Sequence, residues 1–212
     1  MKLLVTAGAT REPIDAVRFL SNVSTGRTGA ELAAALAARG HAVHLLRGTG
    51  AVTAPAGVDA QEFSSAEDLL DQLQRLLAGG EFAGVIMTAA VADYRPQTAG
   101  TGKLDSAVPT RTLTLVRNPK ILPQLRKFSP RPLRVIGFKL TVGADATARL
   151  TAVRRQFDES HVDAVVQNDL QEIKAAAVHP FRLFTAPAVE PQPLAGVPAL
   201  AEALDALLRQ AP

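Results

Sequence analysis

The sequence has no cysteine and no tryptophan, and a single tyrosine among its 212 residues. Without cysteine there is no disulfide framework, no catalytic thiolate and no thiolate metal ligand. The poverty in tyrosine and tryptophan argues against a platform on which nucleic-acid bases would stack. Excess charge is also scarce: 23 Lys and Arg stand against 20 Asp and Glu, a formal +3 spread along the chain with no basic block for a phosphodiester backbone. The longest apolar run, Phe82 to Ala92, is too short for a bilayer, which needs about 20 residues. Met1-Lys2 leads directly into a short strand pattern, so no cleavable leader is expected. His41, His44, His161 and His179 form no ligand pattern and are expected to be surface or structural residues. No metal-ligating side-chain set is therefore expected. What is left is a cytoplasmic globular chain, 47% hydrophobic, suited to one domain over residues 1–212 with a sizeable core.

What is present is an alternation of strand and helix patterns. Strands are expected at Lys2–Thr6, Ala42–Arg47, Gly84–Thr88, Leu133–Phe138, Asp163–Gln167 and Phe181–Thr185. Several of these are continuous apolar runs, as in strands covered on both faces. Helices are expected at Thr25–Arg39 with Gly40 as the C′ residue, from Ser64 or Ser65 to Leu77, at Pro119–Phe128, at Asp145–Ser160 and at Val197–Arg209. The alternation predicts an α/β fold with a doubly wound, mostly parallel, Rossmann-like sheet. Between Tyr94 and Val116 the scheme breaks. Pro96 to Ala107 is polar and glycine-bearing, and Arg111–Val116 alternates like a strand with one solvated face. Such inserts are commonly lids, edge hairpins or dimer contacts.

The chain is organised around the connection from the first strand to the first helix. That connection is far longer than a strand-to-helix loop requires, and it holds Arg11, Glu12, Asp15, Arg18 and Asn22. Gly8 opens it. Ser24, Thr25, Gly26 and Gly29 close it at the helix start, where N–H groups and the positive end of the helix dipole suit a phosphate. An ordinary Ser/Thr N-cap is the competing reading, and the length of the loop favours the phosphate. Asp93 follows the apolar strand Gly84–Thr88, and ligands of doubly wound sheets sit beyond the carboxyl ends of strands.

These residues also carry a resemblance. Gly8, Thr10 to Asp15, Val17-Arg18-Phe19, Ser21-Asn22, Ser24, Gly26 and Gly29 follow, in order, the signature of the phosphopantothenate–cysteine ligase family, with Ala9 and Thr25 replacing a glycine and a serine. Ala89-Ala90-Val91-Ala92-Asp93-Tyr94, Lys103, Asn118-Pro119, Gly137-Phe138-Lys139-Leu140 and Asn168-Asp169 extend the likeness to about residue 175. Lys103 is the only lysine left of the family's lysine run, and Gln167 stands where the family usually has alanine.

The resemblance implies a ligase that joins 4′-phosphopantothenate to L-cysteine through an acyl-nucleotide, in coenzyme A biosynthesis. CTP is the favoured nucleotide, ATP the less favoured, with Mg²⁺ on the triphosphate. It implies that Asn22 and Lys103 are catalytic. It assigns Gly8, Ser24, Gly26, Gly29, Asp93, Lys103, Phe138 and Asn168 to the nucleotide, and Arg18, Asn22, Ala89, Ala90 and Asp93 to phosphopantothenate. It also implies a homodimer in which Arg18 reaches the neighbouring subunit's substrate, and a stand-alone bacterial type whose decarboxylase is a separate protein. The chief alternative is an NAD(P)-dependent oxidoreductase. No G-x-G-x-x-G follows the first strand and no acidic residue ends the second, but Arg47 would suit a 2′-phosphate. A binding module that has kept the fold and lost activity is a third reading.

Overall fold

The computed structural model describes residues 1–210. The first strand, β1 (Lys2–Ala7), is buried along its whole length after Lys2. The long loop behind it folds back as a small antiparallel hairpin, β2 (Arg11–Pro13) and β3 (Phe19–Ser21). Then come α1 (Arg27–Ala38), β4 (Ala42–Gly48), β5 (Asp59–Phe63), α2 (Ala66–Ala78) and β6 (Gly84–Met87). The insert contributes a second hairpin, β7 (Tyr94–Pro96) with β8 (Leu115–Arg117). A 3₁₀ turn at Leu122–Gln124 enters α3 (Leu125–Phe128). The chain ends with β9 (Arg134–Thr141), α4 (Ala146–Ser160), β10 (Ala164–Asp169), α5 (Leu170–Ala175), β11 (Pro180–Phe184), β12 (Gln192–Ala195) and α6 (Gly196–Arg209).

The main sheet has eight strands in the order β12-β11-β10-β9-β6-β1-β4-β5. From β10 to β5 all neighbours run parallel, and β11 and β12 are added antiparallel at one edge. Parallel strands need covered faces, and two cores supply the cover. On one face α1 and α6 bring Leu32, Leu36, Leu200 and Leu204 onto Leu3, Val5 and Val166. On the other, α2, α3 and α4 bring Leu69, Leu73, Leu125 and Phe157 onto Leu4, Val85 and Val135. The fold is the mostly parallel Rossmann-like α/β architecture that the alternation predicts.

Local chemistry sets the helix ends. Ser65 caps α2 by accepting from Asp68 N–H at 3.2 Å, and buried Glu12 reaches across from β2 to accept from Ala66 N–H at 3.0 Å. Asp145 caps α4 by accepting from Ala148 N–H. Helix α1 begins two residues later than expected: its N-cap is Gly26, left-handed at φ 73°, with no side-chain cap. Gly40 is the left-handed C′ residue, at φ 87°.

Three expectations need correction. Pro119 lies ahead of the helical segment, which starts at Leu122, because Asn118 is tied to the loop before it. Of the expected strand Arg111–Val116 only Leu115 and Val116 are in a strand, Leu115–Arg117, which pairs with Tyr94–Pro96 of its own chain. The edge strands β5 and β12 and the hairpin β2–β3 were not expected.

Candidate functional site at the switch point

The chain leaves β1 through α1 towards β4 and β5, and returns through α2 to β6 on the opposite side of β1. From β6 it continues away, to β9 and β10. Connections therefore diverge between β1 and β6, and a crevice opens beyond their carboxyl ends. In open α/β sheets this is where ligands bind.

Two loops form the walls of that crevice, 8–10 after β1 and 88–93 after β6, and threonines stitch them together. Thr6 Oγ1 accepts from Ala89 N–H at 3.1 Å, and the Thr88 hydroxyl donates to the Thr6 carbonyl. Buried Thr10 takes Ala92 N–H on its hydroxyl at 3.0 Å, while Ala90 N–H donates to Gly8 O at 2.8 Å. Asn22 closes the mouth. Its side chain is exposed, and Nδ2 donates to Ala90 O at 3.4 Å and Val91 O at 3.2 Å. These are long hydrogen bonds, which a ligand can replace.

Gly8 and Gly26 meet at the same end of β1: a Cβ on Gly26 would lie 2.9 Å from Gly8 N and 2.9 Å from Ala51 Cβ. Ser24 Oγ accepts from Gly26 N–H at 3.4 Å. The start of α1 is thus built by close backbone approach, and no side chain caps it. Gly29 has a different setting. It is buried, and its missing Cβ points at Thr88 Oγ1, Ala7 Cβ and Thr6 O. It lets α1 sit directly on β1.

On the β9 side the crevice widens into a cleft of about 560 Å³ lined by Ala89, Asp93, Asn118, Lys120, Phe138 and Lys139 among others. That volume is in the range of small-molecule sites. Asp93 pairs with Lys120 at 2.5 Å, and both side chains are largely exposed. Such pairs contribute little to stability, so an incoming anion can compete for the lysine. Asn118 fixes the loop below: its N–H donates to Asp93 O and its Nδ2 to Ala92 O, both at 2.9 Å. Lys120 was not anticipated. A lone lysine after a proline carries no pattern, and it meets Asp93 only through the Asn118 ties.

Arg18 and Lys103 stand elsewhere, on the hairpin β2–β3 and the insert. Asp15, whose side chain is fully buried, receives Val17 N–H at 2.9 Å and Arg18 N–H at 2.7 Å on Oδ1, and Leu104 N–H at 3.0 Å on Oδ2. Arg18 lies 3.6 Å from Asp15 Oδ2 and donates to Leu104 O at 3.1 Å. The Leu104 N–H, more than any other partner, holds the Asp15 carboxyl below its usual range against the opposing effect of burial. Lys103 is exposed beside this contact and does not line the cleft.

Asn168 is not brought to the cleft. It is buried at the end of β10, with Nδ2 2.9 Å from His179 Nε2. Burial lowers the His179 pKa, which favours the neutral ring that can accept this hydrogen bond. Next to it, Asp169 takes the Thr141 hydroxyl at 2.7 Å and the N–H groups of Gly143, Ala144 and Gln171. The hydroxyl above all keeps its carboxyl strongly ionised. Arg47, on which an NADP reading rests, is committed to Glu62 and to Ala51 O at 3.1 Å. Among the described residues no helix is long and apolar enough to cross a membrane.

Known proteins share this fold. The chain is 34% identical over 171 residues to the coenzyme A biosynthesis bifunctional protein CoaBC of Thermococcus kodakarensis, an alignment that takes in 80% of this chain but 41% of the relative. The chain thus spans about two fifths of that protein's length. The crystal structure of the DNA/pantothenate metabolism flavoprotein from Streptococcus pneumoniae superposes with a TM-score of 0.87 at 25% identity, covering 99% of this chain and 98% of that one. The C-terminal domain of a CoaBC superposes at 0.76 with 26% identity, covering 98% and 93%. Residues 1–185 match the family described as the DNA/pantothenate metabolism flavoprotein C-terminal domain, and the chain belongs to that family.

Proposed function

We propose that residues 1–212 act as one phosphopantothenate–cysteine ligase domain. It joins 4′-phosphopantothenate to L-cysteine at the expense of CTP, or less favourably ATP, in the cytoplasmic synthesis of coenzyme A. The last two residues of that span lie outside the described ones. The observation that carries the reading is the crevice between β1 and β6, where Asn22 and the uncapped start of α1 face the loop that ends in Asp93. The kinship with C-terminal domains of CoaBC proteins supports it.

The reaction asks for charge neutralisation and alignment more than for a side-chain nucleophile. A carboxylate oxygen of phosphopantothenate attacks the α-phosphorus and pyrophosphate leaves. The amine of cysteine then attacks the acyl carbon, loses a proton, and the nucleoside monophosphate departs with the carboxylate oxygen. In this scheme Phe138 and Asp93 hold the nucleotide in the cleft, and Ala89 and Ala90 meet phosphopantothenate. Gly8, Ser24 and Gly26 present backbone N–H groups to phosphate, with Gly29 holding α1 close to β1. Lys103 and Lys120 offset the triphosphate charge. Asn22 donates to the acyl oxygen once a ligand displaces its bonds to Ala90 and Val91. Asn168, buried off the cleft and held by His179, takes no direct part in this scheme.

Among the described residues no three His, Asp or Glu side chains converge on a metal position. Mg²⁺ commonly needs only one or two carboxylates besides phosphate oxygens, and Asp93 and Glu159 line the cleft. Asp93 would hold the ion, which supplies further neutralisation of the triphosphate.

The homodimer belongs to the same proposal. Val17, Phe19, Leu113 and Leu115 are exposed on the two hairpins that stand off the main sheet, and a second copy would cover them and receive Arg18.

The test is a mixture of protein, phosphopantothenate, cysteine and MgCTP. The phosphopantothenoyl-cysteine product, and pyrophosphate beyond about one per site, should appear only when all are present. Turnover of a nicotinamide cofactor in place of pyrophosphate release would overturn the reading.

A further inference from the structure

The ligase reading leaves Asp15 without a chemical role, yet Asp15 is the most heavily engaged side chain of the first hairpin. It is buried, and its two oxygens face different segments. Oδ1 closes the turn at Val17 and Arg18. Oδ2 faces out of the hairpin to the Leu104 N–H, 89 residues away. Around it, Ala16 N–H donates to Gly102 O at 3.3 Å and Gly100 N–H to Ile14 O at 3.0 Å. Arg18 adds its bond to Leu104 O. The segment that carries Lys103 is otherwise polar, glycine-bearing and without regular structure. Its position is therefore set from the hairpin, and Asp15 is, among the described residues, the buried side chain that grips both.

We propose that Asp15 is a positioning residue that clamps the Lys103 segment onto the Arg18 turn, so that the lysine meets the nucleotide from a fixed base. The proposal rests on the ligase reading for the identity of that nucleotide. The clamp suits a carboxylate and nothing else of its size. Oδ1 and Oδ2 each face donors only, so both must be acceptors. In Asp15→Asn one of them becomes an NH₂ group. The shorter contacts to Val17 and Arg18 retain the remaining oxygen, and the NH₂ is left facing the Leu104 N–H, donor against donor.

The experiment uses the full chain as wild type, Asp15→Asn and Leu104→Pro. The proline removes the same hydrogen bond from its other end without touching the turn. Amide exchange followed by mass spectrometry should show faster exchange, by tenfold or more, in residues 100–106 of Asp15→Asn, with the central strands unchanged. Both variants should bind MgCTP at least fivefold more weakly by calorimetry and raise its KM, with kcat reduced less. Unchanged exchange in residues 100–106 of Asp15→Asn would overturn the clamp whether or not the protein is a ligase. Faster exchange with unaltered MgCTP binding would overturn its role in positioning Lys103. Should Asp15→Asn fail to fold, Leu104→Pro decides, by the same MgCTP affinity. A wild type that takes no CTP would remove the ligase reading, and the exchange rates of residues 100–106 would still decide whether Asp15 clamps the segment.

Discussion

Replacing Gly29 by alanine separates packing from ligand binding at the start of α1. The added Cβ would lie 2.3 Å from Thr88 Oγ1, 2.7 Å from Ala7 Cβ and 3.0 Å from Thr6 O. Ala7 and Thr6 belong to the central strand and cannot retreat. Thr88 can turn away only by giving up its bond to the Thr6 carbonyl. Overpacking of this kind costs about 1–3 kcal/mol, and the lost hydrogen bond adds about 1. The gain from alanine over glycine in a helix returns at most about 1 kcal/mol. A net loss of about 1–3 kcal/mol lowers the melting temperature by roughly 2–12 °C in a chain of this size. Calorimetry measures that shift, and nucleotide KM is measured on the folded protein at low temperature. Thr88→Ala removes the closest clashing atom, so the double variant should lose less stability than the two single losses added. An unchanged melting temperature with a tenfold higher nucleotide KM would refute the packing argument and return Gly29 to the ligand.

Asn22→Asp should melt near the wild type, because the side chain is exposed and makes only long hydrogen bonds; product formation should fall by about 100-fold or more, as when an oxyanion donor is lost. For the dimer, an Arg18→Ala chain mixed with an Asn22→Ala chain should regain part of the activity that each lacks, since one site of the mixed dimer keeps both residues; no recovery would place Arg18 in its own subunit's site. The depressed carboxyl of Asp169 sets a pH dependence. The folded chain holds this proton less readily than the unfolded one, so its contribution is complete above the unfolded pKa of about 4 and is lost as pH falls towards the lower folded value. Thermal melts from pH 6 to pH 3 should steepen below about pH 4, and Asp169→Asn should melt lower at pH 7 with a flatter acid limb.

The interior of this protein was easier to read than its margins. The buried strand Gly84–Met87 announces itself as an apolar or small-residue run, and Ala164 to Val166 opens β10 in the same way before its polar end. Strand β5, Asp59–Phe63, buries only Phe63, and β12 contains Pro193 and buries only Leu194. Edge strands under so little constraint have no alternation to detect. The same contrast holds at the site. Ala89 and Asp93 follow a legible strand and Phe138 lies within one, and all three line one cleft. Lys120 and the Asp15 clamp depend on pairings across 27 and 89 residues, which no local periodicity encodes. Gly29 was readable as a glycine with a purpose, but which surface it admits became clear only from Thr88 and Ala7.

The acyl-nucleotide route is tested most directly by an oxygen label. Phosphopantothenate carrying ¹⁸O in its carboxylate is incubated with the protein, cysteine and MgCTP, and the products are weighed by mass spectrometry. If the carboxylate attacks the α-phosphorus, one ¹⁸O must leave with CMP and the pyrophosphate must stay unlabelled. Unlabelled CMP, or CDP together with labelled orthophosphate, would contradict the account.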